Sequence, residues 1–240
     1  IEVMWGGIRA RDLLQNRLNH YDIVFISRPH NALVAADLVR RTNPKAQLIY
    51  DAEALWHRRE RLRRRLGLPP ADARFESEEA ELSLIRSADY VLTVSKAERR
   101  FVQERIGDED RVRLLGHPHA IVLTQTPFQD RRDLLFVGGF KSAPGPNDDG
   151  AVYFAKTIFP RIRKRIPDLR FVVAGSNPPE SVKQLASDSI VIIGYVKDLG
   201  EIYGKARVFV APIRFGAGSM WKVTEAMSHG LPCVLSAVAA

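Results

Sequence analysis

Residues 211–232, APIRFGAGSMWKVTEAMSHGLP, contain the clearest fold signal in the second half of the chain. This segment begins at the end of an apolar strand candidate, passes through a glycine-containing loop and continues as a helix candidate. Another apolar run, residues 233–236, follows directly. A strand, a loop, a helix and a strand in this order predict a βαβ unit with two parallel strands.

The same alternation extends over the rest of the chain. Near-continuous apolar runs, typical of parallel strands covered on both faces, alternate with amphipathic segments. The predicted strands are residues 22–27, 47–51, 90–94, 112–115, 133–137, 170–174, 190–193, 207–211 and 233–236. The predicted helices are residues 31–41, 54–66, 74–87, 96–105, 149–165, 179–187, 199–204 and 219–229. We therefore predict an α/β protein with two Rossmann-like, doubly wound parallel-sheet domains that face a cleft.

A segment of low periodicity separates the two halves. Residues 117–131, HPHAIVLTQTPFQDR, contain two prolines and are predicted to be the interdomain linker. We predict one domain over residues 1–128 and a second over residues 129–240, each of ordinary domain size. Because the chain opens on Ile1 and stops soon after its last predicted strand, we expect the first domain to lack its first strand and the second its C-terminal end.

Composition restricts the possible partners and locations. No run of about 20 apolar residues is present, so the sequence predicts no membrane-spanning helix. The single cysteine, Cys233, excludes an internal disulfide and favours the reducing cytoplasm. The net charge of +8 favours anionic partners. The basic residues concentrate in residues 57–65 and 161–165 without interleaved aromatic residues, so we expect no nucleic acid partner.

Glycines stand at or near the ends of several predicted strands in the second half. Ligands of doubly wound sheets bind at the carboxyl ends of the strands, and glycine lets a ligand approach the backbone. The glycines at these ends are Gly138, Gly139, Gly175, Gly194, Gly216 and Gly218.

The segment after residue 211 has the chemistry of a diphosphate site. Gly216 and Gly218 precede a predicted helix, whose N-terminal N–H groups and dipole favour an anion. Lys222 can reach the same anion, and Arg214 supplies a second cation. Glu225 lies three residues after Lys222, on the same helix face, and a carboxylate suits the two hydroxyls of a ribose.

A simpler interpretation of this helix is that Lys222 and Glu225 only pair with each other at the surface. The diphosphate interpretation is favoured because Val223, Ala226 and Met227 already account for the buried face of the helix.

The run GAG-x3-K-V-x-E-A-M-x2-G-L-P resembles the donor-site signature of the family 4 (group 1) glycosyltransferases, which have the two-Rossmann GT-B architecture. Other parts of the second half resemble the same donor domain, namely residues 136–140 with 146–149, 169–175 and 193–199. Parts of the first half resemble the family's acceptor domain, namely residues 21–29, 49–51 and 94–98.

This resemblance implies a set of donor-binding residues. Tyr195 and Val196 would lie against the nucleotide base, and Glu225 matches the second glutamate of the family's Glu-x7-Glu pair, which binds the ribose. Ala217 stands where the family has the first glutamate, so we expect the backbone N–H groups of residues 217–219 to hold the donor sugar. The complete set is Gly138, Gly139, Gly175, Tyr195, Val196, Arg214, Gly216, Ala217, Gly218, Ser219, Lys222 and Glu225.

The first half offers catalytic candidates in the loop after residues 47–51. Many members of the family place a histidine near the donor sugar in this loop, which here contains Asp51, Glu53 and His57. All three are candidates, and a structural or solvated role for His57 stays open.

The resemblance implies a glycosyltransferase that moves a sugar from a nucleotide-diphosphate-sugar donor to a saccharide or lipid-linked acceptor, as in cell-surface polysaccharide biosynthesis. Retention of the anomeric configuration, no cofactor and no metal are expected. Asp108 and Asp110 match a metal motif of the other glycosyltransferase fold, but a surface turn is the favoured interpretation of that segment. The alternatives are a non-catalytic nucleotide-sugar-binding module of a larger protein and a nucleotide-sugar epimerase.

The predicted helix 54–66 is unusually basic. Leu55, Leu62 and Leu66 lie roughly on one side, and six arginines occupy the remainder. A solvated face is one interpretation. The other is peripheral docking on an anionic membrane at the cytoplasmic face, because basic residues are attracted to such a surface.

Overall fold

The computed structural model describes residues 10–140 and 144–240, which form two compact units. The first unit contains the residues up to His117 together with Ala217–Ser219. The second contains Pro118–Gly216 and Met220–Ala240. Each unit has a parallel sheet and a hydrophobic core of its own.

The first unit is built on a four-stranded parallel sheet with the order β1-β2-β3-β4. Its core is closed by Val39, Ile85 and Val102, which are completely buried between the helices and the sheet. The elements are α1 Ala10–Gln15, β1 Ile23–Ser27, α2 Pro29–Thr42, β2 Gln47–Asp51, α3 Trp56–Arg65, α4 Glu78–Ser87, β3 Tyr90–Thr93, α5 Lys96–Ile106 and β4 Val112–Leu114.

Local sequence signals explain where these helices begin and end. Ser77 caps α4 by accepting a hydrogen bond from Ala80 N, and Ser95 caps α5 by accepting one from Glu98 N. Gly107 ends α5 in the left-handed conformation, at φ +69°. The predicted start of α5 is therefore explained by a side-chain cap, whereas α1 had no such signal and was not predicted.

The second unit is a five-stranded parallel sheet with the order β7-β6-β5-β8-β9. This order is doubly wound, and it reverses between the neighbours β5 and β8. No reversal occurs among the strands that the structure describes in the first unit. The elements are β5 Arg132–Val137, α6 Pro146–Tyr153, α7 Phe159–Arg163, β6 Phe171–Ala174, α8 Glu180–Lys183, β7 Ile190–Gly194, α9 Leu199–Lys205, β8 Ala206–Ala211, α10 Trp221–Ser228 and β9 Cys233–Leu235.

Aromatic side chains dominate the core of the second unit. Phe136, Phe171 and Phe209 are completely buried, and Phe154 packs on Phe171 with 4.7 Å between the ring centroids. A wider π-helical turn, Phe154–Ile158, joins α6 to α7. The predicted helix 149–165 is therefore continuous but contains this wider turn.

The structure corrects two predicted helix faces. In α10, Val223 and Ala226 are buried as predicted, but Met227 is 59% exposed. In α3, the buried residues are His57, Glu60 and Arg63. Of the three leucines predicted to face inward, Leu55 is completely buried just before the helix, whereas Leu62 is partly exposed and Leu66 is exposed.

No helix in the part of the chain that the structure describes is long and apolar enough to cross a membrane.

Candidate functional site

The reversal of strand order in the second unit brings two strand ends together. β5 ends at Val137 and is followed by Gly138 and Gly139, while the neighbouring β8 ends at Ala211. On the other side of β5, β6 ends at Ala174 and is followed by Gly175. Such a reversal is where doubly wound sheets bind ligands.

At two of these glycines, Gly138 and Gly175, a side chain would collide with neighbouring atoms. Gly175 has φ +155°, and a Cβ there would lie 1.9 Å from the carbonyl oxygen of Gly138. A Cβ at Gly138 would lie 2.8 Å from Cγ of Asn147 and 2.9 Å from Nζ of Lys222. The absence of side chains therefore brings Lys222 and Asn147 against the backbone at the end of β5.

Lys222 is the second residue of α10, and its amine lies at this strand end. Its Nζ donates a hydrogen bond to Oδ1 of Asn147 and lies 4.6 Å from the ring centroid of Phe136. Among the described residues, no carboxylate lies within ion-pair distance of Nζ. Part of the side chain is exposed, but burial of the amine lowers the pKa of Lys222 to about 7.

Asn147, near the start of α6, holds this amine in place. Its Nδ2 donates to the carbonyl oxygen of Gly139 at 2.7 Å, and its Oδ1 accepts from Lys222. An amide therefore occupies the position where a carboxylate would neutralise the lysine. Asn147 was part of the segment that resembles the donor domain, but its role was not predicted.

Arg214 is paired with a carboxylate, unlike Lys222, and its role as a second phosphate cation stays a prediction. Its Nε donates to Oδ2 of Asp149 at 2.8 Å, its Nη2 donates to Oδ1, and the guanidinium lies over the Tyr153 ring. The bond to Asp149 raises the pKa of Arg214 above its usual value. A bidentate pair of this kind is a strong internal contact.

Glu225 does not pair with Lys222 within the described contacts, contrary to the simpler interpretation of this helix. Its Oε2 accepts a hydrogen bond from the hydroxyl of Tyr203 at 3.0 Å. Its side chain is partly exposed, as a ribose-binding carboxylate requires. The contact with Tyr203 was not predicted, because it joins residues on different helices.

The loop between β8 and α10 contains the remaining predicted donor residues. Ile213 and Phe215 are completely buried and anchor it, and Gly216 is buried beside them. Ala217, Gly218 and Ser219 are partly exposed and group with the first unit. Because α10 begins at Trp221, the predicted start at residue 219 is too early, and Gly216 and Gly218 precede the helix rather than form its first turn.

The loop after β7 contains the two residues predicted to meet the nucleotide base. Tyr195 is 74% exposed, and Val196 packs against the core of the second unit. An exposed aromatic ring on a strand-end loop is available to stack on a planar ligand.

In the first unit, Asp51 and Glu53 lie at the carboxyl end of β2. Asp51 accepts hydrogen bonds from Ser27 Oγ and from Glu53 N, both at 3.1 Å. Oε2 of Glu53 accepts from Nε of Arg28 at 2.8 Å. Arg28 and Glu53 both have positive φ, at +77° and +49°, a strained conformation that occurs often at functional sites.

His57 is buried, so its predicted catalytic role is not supported. Only 4% of the residue is exposed, and its Nδ1 lies 2.6 Å from Oε2 of Glu81. The same carboxylate accepts hydrogen bonds from the backbone N–H groups of Trp56 and His57. The contacts of His57 therefore tie the start of α3 to α4.

The Asp108–Asp110 segment is a turn in which Oδ1 of Asp108 accepts hydrogen bonds from the backbone N–H groups of Asp110 and Arg111. Within residues 10–140 and 144–240, no group of three or more His, Cys, Asp or Glu side chains has an arrangement that could hold a metal ion.

Comparison with known proteins gives one family and a fold. Residues 131–240 match the family described as glycosyl transferases group 1. No curated protein sequence matches the chain.

Similar solved structures cover both units. TarM from S. aureus is 14% identical with a TM-score of 0.66, over 93% of this chain and 42% of that chain. Anabaena Alr3699/HepE in complex with UDP and glucose is 12% identical with a TM-score of 0.66, over 95% and 62% of the two chains. An α,α-trehalose-phosphate synthase (UDP-forming) from Burkholderia vietnamiensis is 14% identical with a TM-score of 0.64, over 96% and 62%. The chain thus spans 42–62% of the length of these structures.

Proposed function

We propose that the protein moves a sugar from a nucleotide-diphosphate-sugar donor to a saccharide or lipid-linked acceptor, because residues 131–240 match the family described as glycosyl transferases group 1. The two parallel-sheet units have the GT-B type of fold. The observation that carries the proposal is the Lys222 amine, which lies at the strand-order reversal beside an amide instead of a carboxylate. A buried cation of this kind is suited to bind a diphosphate.

In this proposal, the second unit binds the donor and stabilises its leaving group. Lys222 meets the diphosphate, and its charge stabilises the negative charge that develops as the glycosidic bond breaks. Glu225 accepts hydrogen bonds from the ribose hydroxyls, and Tyr195 with Val196 contacts the base. The backbone N–H groups of residues 217–219 hold the donor sugar, where the family's first glutamate is replaced by Ala217.

We assign the acceptor to a domain of residues 1–128 and the donor to residues 129–240. Asp51 and Glu53 are the proposed acceptor-side catalytic residues, since both carboxylates lie at the carboxyl end of β2 and are partly exposed. Retention of the anomeric configuration and independence of metal are part of the same proposal.

The first experiment is calorimetry against UDP-, GDP- and ADP-sugars, followed by a product assay with the donor that binds. Binding and transfer to an added saccharide or lipid-linked acceptor support the proposal, whereas conversion of the free donor to its epimer supports the epimerase. Addition of EDTA should leave donor binding unchanged. A requirement for Mg²⁺ or Mn²⁺ would contradict metal independence and direct attention to Asp108 and Asp110.

A second candidate function is a non-catalytic nucleotide-sugar-binding module of a larger protein. The observation that favours it is Ala217, which lacks the carboxylate that the family places at the donor sugar. Donor binding without turnover, with any acceptor of the panel, would support this candidate over the transferase.

We also propose a peripheral contact between α3 and an anionic membrane at the cytoplasmic face. Arg61, Arg64 and Arg65 are exposed, although Arg64 has Glu76 as a partner. Arg63 is excluded from this surface because it is buried and donates to the carbonyl oxygen of Pro69. Three exposed arginines on one short helix form a surface suited to anionic lipid headgroups.

A further inference from the structure

Tyr203 is a core residue that carries a polar atom. The residue is completely buried near the end of α9, with its ring stacked on His229 at 4.8 Å between centroids and tilted against Phe209 at 6.3 Å. A phenylalanine would fill almost the same volume, so packing alone does not explain the hydroxyl. Its hydrogen-bond partner is Oε2 of Glu225 on α10, at 3.0 Å.

The hydroxyl is a fixed donor. The ring has little room to move between its neighbours, so the oxygen position is set by the core of the unit. Burial and the nearby charge of Glu225 raise the pKa of Tyr203 above its ordinary value of 10.0. The phenol therefore keeps its proton at neutral pH and donates to the carboxylate.

Glu225 keeps acceptor capacity after this bond is made. An ionised carboxylate has two oxygens and about four acceptor sites, of which Tyr203 occupies one. Among the described residues, Oε1 accepts no hydrogen bond, and the side chain is partly exposed. The result is a carboxylate with one oxygen fixed by the core and the other free for a ligand.

We propose that Tyr203 is a positioning residue that orients the Glu225 carboxylate toward the two hydroxyls of the donor ribose. This inference rests on the proposed donor site. A glutamate has three side-chain torsions, and fixing one oxygen before the ligand arrives reduces the ordering required on binding. The hydrogen bond to Tyr203 thus contributes to the affinity for ribonucleotides and to their selection over deoxyribonucleotides.

The test compares ribonucleotides with deoxyribonucleotides on the whole protein. Calorimetry is carried out with UDP, GDP and ADP and with dUDP, dGDP and dADP, on wild type, Tyr203→Phe, Glu225→Gln and the double variant. Tyr203→Phe retains the ring contacts and removes only the hydroxyl. Tyr50→Phe is the control for loss of a buried tyrosine hydroxyl as such, because its hydroxyl lies in the core of the first unit and has no hydrogen-bond partner among the described residues.

We expect Tyr203→Phe to raise the Kd of the ribonucleotide that binds best by about three- to tenfold, the usual contribution of one hydrogen bond. The Kd of its 2′-deoxy form should stay within about twofold of the wild-type value. In the Glu225→Gln background the same change should add little, because the two residues act together. Tyr50→Phe should change neither affinity. Melting scans of each variant verify that the fold is retained.

Equal losses for the ribose and deoxyribose forms, or no loss for either, would overturn the positioning role. If Tyr203→Phe does not fold, the inference is tested through the other partner of the hydrogen bond: an unchanged ribose preference in Glu225→Gln also overturns it. Binding by wild type without any ribose preference overturns the role of Tyr203 and the ribose contact of Glu225, but not the diphosphate contact of Lys222. Failure of wild type to bind any of the nucleotides and nucleotide-sugars would overturn the proposed function itself.

Discussion

Charged side chains at the carboxyl ends of the strands have different kinds of partner in the two sheets. At the end of β2, Glu53 is paired with Arg28, and farther on His57 is paired with Glu81. At the end of β5, the Lys222 amine meets an amide and an aromatic ring, while its neighbour Arg214 is neutralised by Asp149. A cation left without a carboxylate costs stability, because burial disfavours its charge. On this difference we base the proposal that Lys222, rather than Arg214, binds the anion.

The largest effect is expected from removing this cation. Lys222→Met should weaken binding of a nucleoside diphosphate by about 1.5–3 kcal/mol, the range for hydrogen bonds to charged groups. The same variant should melt at a higher temperature than wild type, because a methionine needs no hydration at this site. Calorimetry and a thermal melt measure the two opposite changes.

Two comparisons sharpen this prediction. Lys183→Met alters an exposed lysine on α8 and should change neither binding nor melting. Asn147→Asp supplies the missing carboxylate and should also weaken diphosphate binding, because Lys222 is then neutralised. A nucleoside without phosphates should bind Lys222→Met and wild type alike, and equal losses for both ligands would remove Lys222 from the phosphate site.

In the first unit, we expect substitution of one residue to lower stability and substitution of a nearby residue to lower activity. His57→Ala should lower the free energy of unfolding by about 1–3 kcal/mol, because it leaves the buried Glu81 without its closest partner. Glu53→Gln, at a partly exposed site, should leave the melting temperature nearly unchanged and reduce kcat of sugar transfer. Urea titrations and initial rates provide the measurements. A stable His57→Ala variant with lost turnover would restore His57 as a catalytic candidate.

The sequence predicted the element order from β1 onward, but not α1, because buried parallel strands and amphipathic helices leave periodic patterns. It selected Lys222 and Glu225 as candidates because a loop-to-helix segment is a local feature. It missed their hydrogen-bond partners, Asn147 for Lys222 and Tyr203 for Glu225. These partners are brought together by the sheet topology, and nothing in local spacing encodes them.

The same limit explains the error in α3. Apolar periodicity assigned its inner face to Leu55, Leu62 and Leu66, but only Leu55 is buried, and polar residues form the rest of that face. Glu60 is buried because its Oε2 accepts a hydrogen bond from Ala71 N, and Arg63 because it donates to Pro69 O. Polar groups can replace apolar ones inside a protein when their hydrogen bonds are satisfied, and their partners here lie several residues outside the helix.

A change of pH should have a smaller effect on stability and on diphosphate affinity, because both depend on the protonation of Lys222. The pKa of Lys222 is about 7 in the folded protein and has its ordinary value of 10.5 in the unfolded chain. Between these values the unfolded chain binds the proton and the folded protein does not, so stability rises with pH across this window. The diphosphate selects the protonated amine, so its affinity should fall by up to about tenfold per pH unit above pH 7.

Calorimetry between pH 7 and 9 tests this linkage, and buffers of different ionisation enthalpy reveal the proton taken up on binding. The Lys222→Met variant should lack both the rise in stability and the fall in affinity. Proton uptake that persists in Lys222→Met would assign the linkage to another group.

The smallest effect per residue is expected at the basic surface of α3. Each arginine near an anionic membrane contributes about 1 kcal/mol, and the attraction fades with salt. Reversal of Arg61, Arg64 and Arg65 to Glu should therefore reduce co-sedimentation with vesicles that contain anionic lipid, and the residual binding should no longer depend on the anionic fraction.

The matched control reverses Arg161, Lys164 and Arg165, which are also exposed and belong to the second basic cluster. If both triple variants lose the same amount of binding, the attraction follows net charge and α3 has no specific membrane contact. Loss confined to the α3 variant would place the membrane contact in the first unit, which is the proposed acceptor side, and would favour a lipid-linked acceptor over a free saccharide.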